Sequence, residues 1–187
     1  VTNNKLLFKK LKMLRNHGIT KNKNDFKFRK DNPVYYEQQE LGLNYRLSDI
    51  HASLGISQLN RLNLFYKKRN LLKKTYDEKL KNLPFLFPKY NKKIKFSNHL
   101  YIVMLDPKKT KKSRNKLIKY LETKKIITSI HYIPIHKQPF YNKFKFYDKD
   151  FKNSIFYYKN AITLPLYPDL TLKEQKYIIS AINSFFK

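Results

Sequence analysis

Residues 41–59 read LGLNYRLSDIHASLGISQL. The stretch holds one arginine, Arg46, and no lysine, in a chain of 187 residues with 41 Lys+Arg against 13 Asp+Glu. Gly42 offers the backbone freedom of a tight or left-handed turn. Ser48 stands as an N-cap, and Asp49 suits the positive end of a helix dipole. From there Ile50, Leu54, Leu59, Leu62, Phe65, Leu72, Tyr76, Leu80 and Leu83 recur at mostly three- and four-residue steps, which predicts one long helix ended by Pro84. At 1.5 Å per residue it would reach about 50 Å, the length of a rod that bridges domains or lines a subunit interface. Asn44 and Arg46 come just before its start, where free N–H groups favour an anion such as a phosphate. A simple helix cap accounts for most of the same pattern.

Upstream, VTNNKLLFKKLKMLRNHG (1–18) reads as a strand end, a turn and an amphipathic helix carrying Leu6, Leu7, Leu11 and Leu14. The helix is capped near Thr2 or Asn3 and stopped by Gly18 just past its last turn. A chain that opens inside an element, on Val1, is expected to be a fragment. Residues 19–40 have no sustained period and contain Pro33, so they read as a long loop whose aromatic second half packs on something. Downstream, a strand is predicted over 99–106, a helix over 113–125 and a second strand over 126–133. A helix at about 149–160, an extended piece at 162–168 and a helix at 171–186 with the capping box Thr171 and Glu174 complete the chain. The alternation makes an α/β or α+β unit of about 100 residues. The expected divisions are 1–47, the helix 48–85 and a small domain 86–187.

The formal net charge of +28 would draw in polyanions. Its make-up argues against base reading, because six of the 41 cations are arginine and the rest are lysine. Arginine's planar fork clamps phosphates and bases, whereas lysine is a solvated point charge. Abundant Lys, Asn, Ile, Tyr and Phe beside scarce Gly and Ala is the signature of A/T-rich coding, so codon drift explains the charge more simply than selection. A basic nucleic-acid-binding module is the rival of a different class. It lacks the expected interleaving of basic and aromatic residues along a strand. With no cysteine, disulfides and thiolate metal sites are excluded, which fits a reducing, cytoplasmic setting. No apolar run approaches a membrane span, so no membrane partner is expected. Among the histidines, His131 and His136 share SIHYIPIHKQPFY and leave a predicted strand end, where such folds present ligand loops. No carboxylate or thiolate stands beside them in the sequence, so no metal is expected. Aromatics and prolines packing a corner would explain the segment as well.

YYEQQELGLNYRLSDIHASLGISQL, with MLRNHGI upstream and IHYIPIHKQPFY and LPLYP downstream, closely resembles the sugar-nucleotide aminotransferases of the DegT/DnrJ type. The match runs over essentially the whole chain and looks most like the branch that aminates a UDP-linked sugar on the route to pseudaminic acid. The resemblance implies an α/β fold: the C-terminal part of a fold-type I, pyridoxal-phosphate (PLP)-dependent aminotransferase. That part would hold the tail of the large domain, the bridging helix and the small domain.

It also implies a homodimer with active sites at its interface, and transfer of an amino group, with glutamate the usual donor, to the keto group of a nucleotide sugar. The PLP-binding lysine and the other main cofactor residues match positions before Val1, so no catalytic residue is expected here and the chain alone should be inactive. Asn44 matches the asparagine that reaches across the dimer to the partner's cofactor phosphate and substrate. His131, Tyr132, Ile133 and Pro134 match the lining of the sugar-nucleotide pocket, with Arg46 and His136 as near neighbours. His51 and Ser53 depart from the pattern, which bears on the branch more than the family. An enzyme for another keto sugar, such as one making perosamine or a dTDP-amino sugar, and an inactive remnant remain alternatives.

Overall fold

The computed structural model describes residues 2–28, 33–89, 93, 94 and 96–187. The chain divides into two compact units, one up to Asn60 and one from Arg61 onward.

The first unit opens with helix α1 (Lys5–Leu14). Its N-cap is Asn4, whose Oδ1 accepts from the Leu7 amide at 3.0 Å, one or two residues later than expected. The expected strand end at Val1 lies outside the described residues, and Thr2 and Asn3 are not in a strand. The left-handed turn after α1 begins at His17 (φ 59°) and continues through Gly18 (φ 69°), whose amide donates back to the Met13 carbonyl at 3.0 Å. Gly18 thus lies three residues past the C-cap Arg15, and the left-handed conformation expected of it already begins at His17.

The long loop contains a two-stranded antiparallel ladder, β1 (Ile19–Thr20) with β2 (Glu37–Gln38), that the sequence did not announce. Two-residue strands are too short to leave a period. Helix α2 (Asp49–Leu80) then runs unbroken for 32 residues, across the boundary between the units.

In the second unit, β3 (Phe85–Leu86), β4 (Tyr101–Leu105) and β5 (Ala161–Leu164) form an antiparallel sheet in that order, with β4 central. Tyr101 pairs with Leu164, Val103 with Ile162, and Phe85 with Leu105. Tyr101, Val103 and Leu105 are buried in alternation, as a strand covered on one face requires. They share one core with Leu72, Tyr76 and Leu80 from the end of α2, with Leu117 and Leu121 of α3 (Arg114–Thr123) and with Ile178 and Ile182 of α5 (Leu172–Phe186).

Ser113 caps α3 and the Thr171–Glu174 capping box opens α5, both at expected positions. Helix α4 (Lys152–Asn160) follows a 3₁₀ turn over Asp148–Phe151. The strand expected over 126–133 does not form: Ser129 makes one isolated bridge to Thr163, and Ile127 is 89% exposed. Its β-branched residues suit a strand, but beyond that bridge no neighbouring strand pairs with them. Among the described residues no helix is long and apolar enough to cross a membrane.

Candidate active site

In the first unit the segment 37–45 is held against the end of α1 by its backbone. The Leu43 amide donates to Leu14 at 2.8 Å, the Tyr45 amide to Arg15 at 2.9 Å, and the His17 amide to the Leu43 carbonyl at 3.0 Å. Further along, the Gln39 amide donates to Gly18 at 2.8 Å, and Asn16 bridges Asn44. Two glycines permit this approach. A Cβ on Gly18 would lie 1.8 Å from the Glu40 carbonyl oxygen, and one on Gly42 would lie 2.6 Å from the Leu14 carbonyl oxygen. Gly42 has no positive φ. Close backbone contact, rather than the left-handed turn suggested by the sequence, is what demands glycine there.

Behind the loop stands Glu37, 6% exposed in a chain crowded with lysines. Burial would raise its pKa. Hydrogen bonds from the Lys27 amide, the Gln39 carboxamide, the Phe28 amide and the Tyr35 hydroxyl outweigh burial and hold it below the ordinary glutamate value. A carboxylate with that many donors fixes the loop around it as an ion. Glu37 was not singled out in the sequence, though an acid directly after two tyrosines, Tyr35 and Tyr36, is the signal that could have found it.

This scaffold presents Asn44 with its side chain exposed and without a hydrogen bond inside the described chain. Arg46 is exposed too, its Nη1 donating to the neutral Asn16 Oδ1 at 2.9 Å, and among the described residues no carboxylate forms an ion pair with it. Both are donors open to an anion. The start of α2 is less open than the sequence suggested: Ser48 Oγ accepts from the His51 amide at 3.3 Å and bonds the His51 ring at 2.7 Å. That cap uses one of the N–H groups an anion would need. The lysine-free face that follows is bare, with Ile50 80% exposed and Leu54, Leu59 and Leu62 exposed as well.

The other expected site residues lie in the second unit. His131 Nδ1 is 2.8 Å from Thr163 Oγ1 on β5. Tyr132 and Ile133 are exposed, and Pro134 is buried. His136 is placed differently: its side chain is 8% exposed, 3.1 Å from Asp148 and stacked on Phe151 at 4.6 Å. Lys137 also reaches Asp148, and the bonds from Lys137 and His136 hold that carboxyl below its usual value. His136 thus ties a loop together, while His131 Nε2 has no partner among the described residues. Among the described residues no cluster of His, Cys, Asp or Glu could hold a metal.

The exposed Asn44 and Arg46 donors suit an anionic ligand, and the chain as a whole is similar to known proteins. Residues 1–183 match the model of the DegT/DnrJ/EryC1/StrS aminotransferase family. An uncharacterised protein of Methanocaldococcus jannaschii is 36% identical over 97% of this chain and 47% of its own. The UDP-4-amino-4,6-dideoxy-N-acetyl-beta-L-altrosamine transaminase of Campylobacter jejuni is 33% identical over 100% of this chain and 47% of its own. The structure of Helicobacter pylori PseC, an aminotransferase of pseudoaminic acid biosynthesis, superposes with a TM-score of 0.82 at 28% identity, over 100% of this chain and 47% of that one. The chain spans about half the length of the curated relatives it matches, which makes its fold part of an α/β aminotransferase. It belongs to the DegT/DnrJ/EryC1/StrS aminotransferase family.

Proposed function

We propose that this chain supplies the C-terminal half of a PLP-dependent enzyme that moves an amino group, with glutamate as donor, to the 4-keto carbon of a UDP-linked 6-deoxy-N-acetyl sugar. The 33% identity to the Campylobacter jejuni transaminase supports the substrate class. The observation that carries the reading is Asn44: a loop locked by four backbone hydrogen bonds presents a carboxamide with no hydrogen bond among the described residues, beside an apolar helix face. Such a loop is rigid enough to reach into a neighbour's site, and the bare face around Ile50, Leu54 and Leu59 suits burial in a homodimer.

Bound PLP would supply the electron sink for amino transfer. Asn44 would donate to its phosphate in the partner subunit. His131, Tyr132, Ile133 and Pro134 would line the sugar-nucleotide pocket, with Arg46 beside Asn44. In this reading residues 1–47 complete the large domain, 48–85 bridge, and 86–187 form the small domain. The test joins this chain to the N-terminal half of the Campylobacter jejuni transaminase and assays UDP-4-keto-6-deoxy-N-acetylhexosamine with glutamate. The 4-amino sugar is the expected product. A folded, PLP-loaded dimer that converts none of that substrate would overturn the reading.

A further inference from the structure

His131 meets Thr163 where the isolated bridge fastens its loop to β5, and the geometry says more than that the two residues touch. Thr163 is 6% exposed. Its backbone is fully used: the amide donates to Ser129 at 2.8 Å, and the carbonyl accepts from Ser129 at 3.2 Å. Its hydroxyl lies 2.8 Å from His131 Nδ1 and has no other partner among the described residues.

A neutral imidazole carries one proton, on either nitrogen. If Nδ1 carried it, the buried Thr163 hydroxyl would have to accept, and its own hydrogen would find no acceptor. A buried polar hydrogen without a partner is expensive. If the hydroxyl donates to Nδ1, both groups are satisfied and the proton sits on Nε2. Tyr132, edge-on to the ring at 4.7 Å, offers nothing that reverses this choice.

We infer that Thr163 is a positioning residue: its hydroxyl donates to His131 Nδ1, fixes the Nε2–H tautomer, and so makes His131 a hydrogen-bond donor to an acceptor oxygen of the nucleotide sugar. The substrate role rests on the pocket proposed above, whereas the tautomer does not. The ring's other nitrogen commonly selects the functional tautomer in this way. A polar residue inside the apolar run AITLPL was the sequence signal, but its partner lies 32 positions away.

Ring-nitrogen NMR on the ¹⁵N-histidine-labelled chain tests the tautomer directly, with His131 assigned through the signals missing in His131→Gln. At a pH where the ring is neutral, His131 should be mainly Nε2–H. Thr163→Val keeps the β-branched shape and should lower the tautomer ratio about tenfold, the factor a hydrogen bond of roughly 1.4 kcal/mol sustains. Thr163→Ser should restore it. An Nδ1–H ring in the unaltered chain, or a ratio unmoved by Thr163→Val in a variant that keeps the wild-type backbone spectrum, overturns the inference.

In the joined enzyme described above, UDP-N-acetylglucosamine should shift Nε2 of His131. Thr163→Val should raise KM more than it lowers kcat. A correct tautomer with no shift on adding the nucleotide sugar would overturn the pocket assignment instead.

Discussion

Gly18 and Gly42 meet backbone to backbone: a Cβ on Gly42 would stand 2.1 Å from the Gly18 nitrogen. The contact sets the height at which the Asn44 loop rides over the end of α1. Gly42→Ala forces the two segments apart, at a cost of roughly 1–3 kcal/mol for an overpacked site. The Leu43 and Tyr45 amides, which donate to Leu14 and Arg15, should then exchange about one to two decades faster. Amides of β4 and β5 should not change. Unaltered protection of Leu43 would show that the loop is held by something else.

Glu37 makes the same loop sensitive to acid. Its pKa is lower in the folded chain than the ordinary value of 4.5. The stability it contributes is therefore complete above that value and is lost as pH falls through the lower folded one. Below about pH 4.5, protection of the Lys27 and Phe28 amides, its donors, should decline with decreasing pH. In Glu37→Gln the protection should be weak throughout and lack that acid-dependent decline. The same decline in both proteins would assign it to other carboxylates, such as Asp148.

In the second unit, the buried Tyr76 hydroxyl donates to the Pro165 carbonyl at 3.0 Å and its ring stacks on Tyr101 at 4.7 Å. Burial raises the phenol pKa, so Tyr76 stays neutral and donating throughout the ordinary range. Tyr76→Phe should cost roughly 1 kcal/mol in chemical denaturation. Leu80→Ala, which opens a cavity in the same core, should cost about 2–5 kcal/mol. Equal losses from the two changes would mean the hydroxyl is more deeply committed than one hydrogen bond.

Much of the second unit was legible because its signals are local. The Thr171–Glu174 box, the Ser113 cap and the alternation of YIVML each need only a few neighbouring residues. The continuity of α2 was legible, but not which side of it is covered. Leu72, Tyr76 and Leu80 are buried, whereas Ile50, Leu54 and Leu59, at the same kind of spacing, are bare. A period shows that a face exists and leaves its cover unnamed. Asn44 and His131 stood out by their places beside a helix start and a predicted strand end, and the roles proposed for them came from the family resemblance. Thr163, Asn16 and Glu37 were not, because their roles come from partners brought together by folding.

The family resemblance implies no PLP-anchoring lysine among residues 1–187, and the prediction that goes with it is that the chain alone does not hold PLP covalently. Incubation with PLP, borohydride reduction and peptide mass mapping should show only diffuse, substoichiometric labelling over many lysines. Stoichiometric labelling of one lysine, abolished by its substitution, would place the active site within these residues.

The central claim is that Asn44 serves the site of a partner subunit, and a mixed dimer of the joined enzyme tests it. One subunit carries Asn44→Ala, and the other lacks the PLP-anchoring lysine. The one site with a lysine belongs to the Asn44→Ala subunit, and a cross-dimer asparagine would reach it intact from its partner. That site should keep near-normal activity. The Asn44→Ala homodimer should bind cofactor or nucleotide sugar about one to two decades more weakly, the effect of losing a hydrogen bond to a charged group worth roughly 1.5–3 kcal/mol. A mixed dimer as impaired as that homodimer would mean that Asn44 acts within its own subunit, contradicting the account.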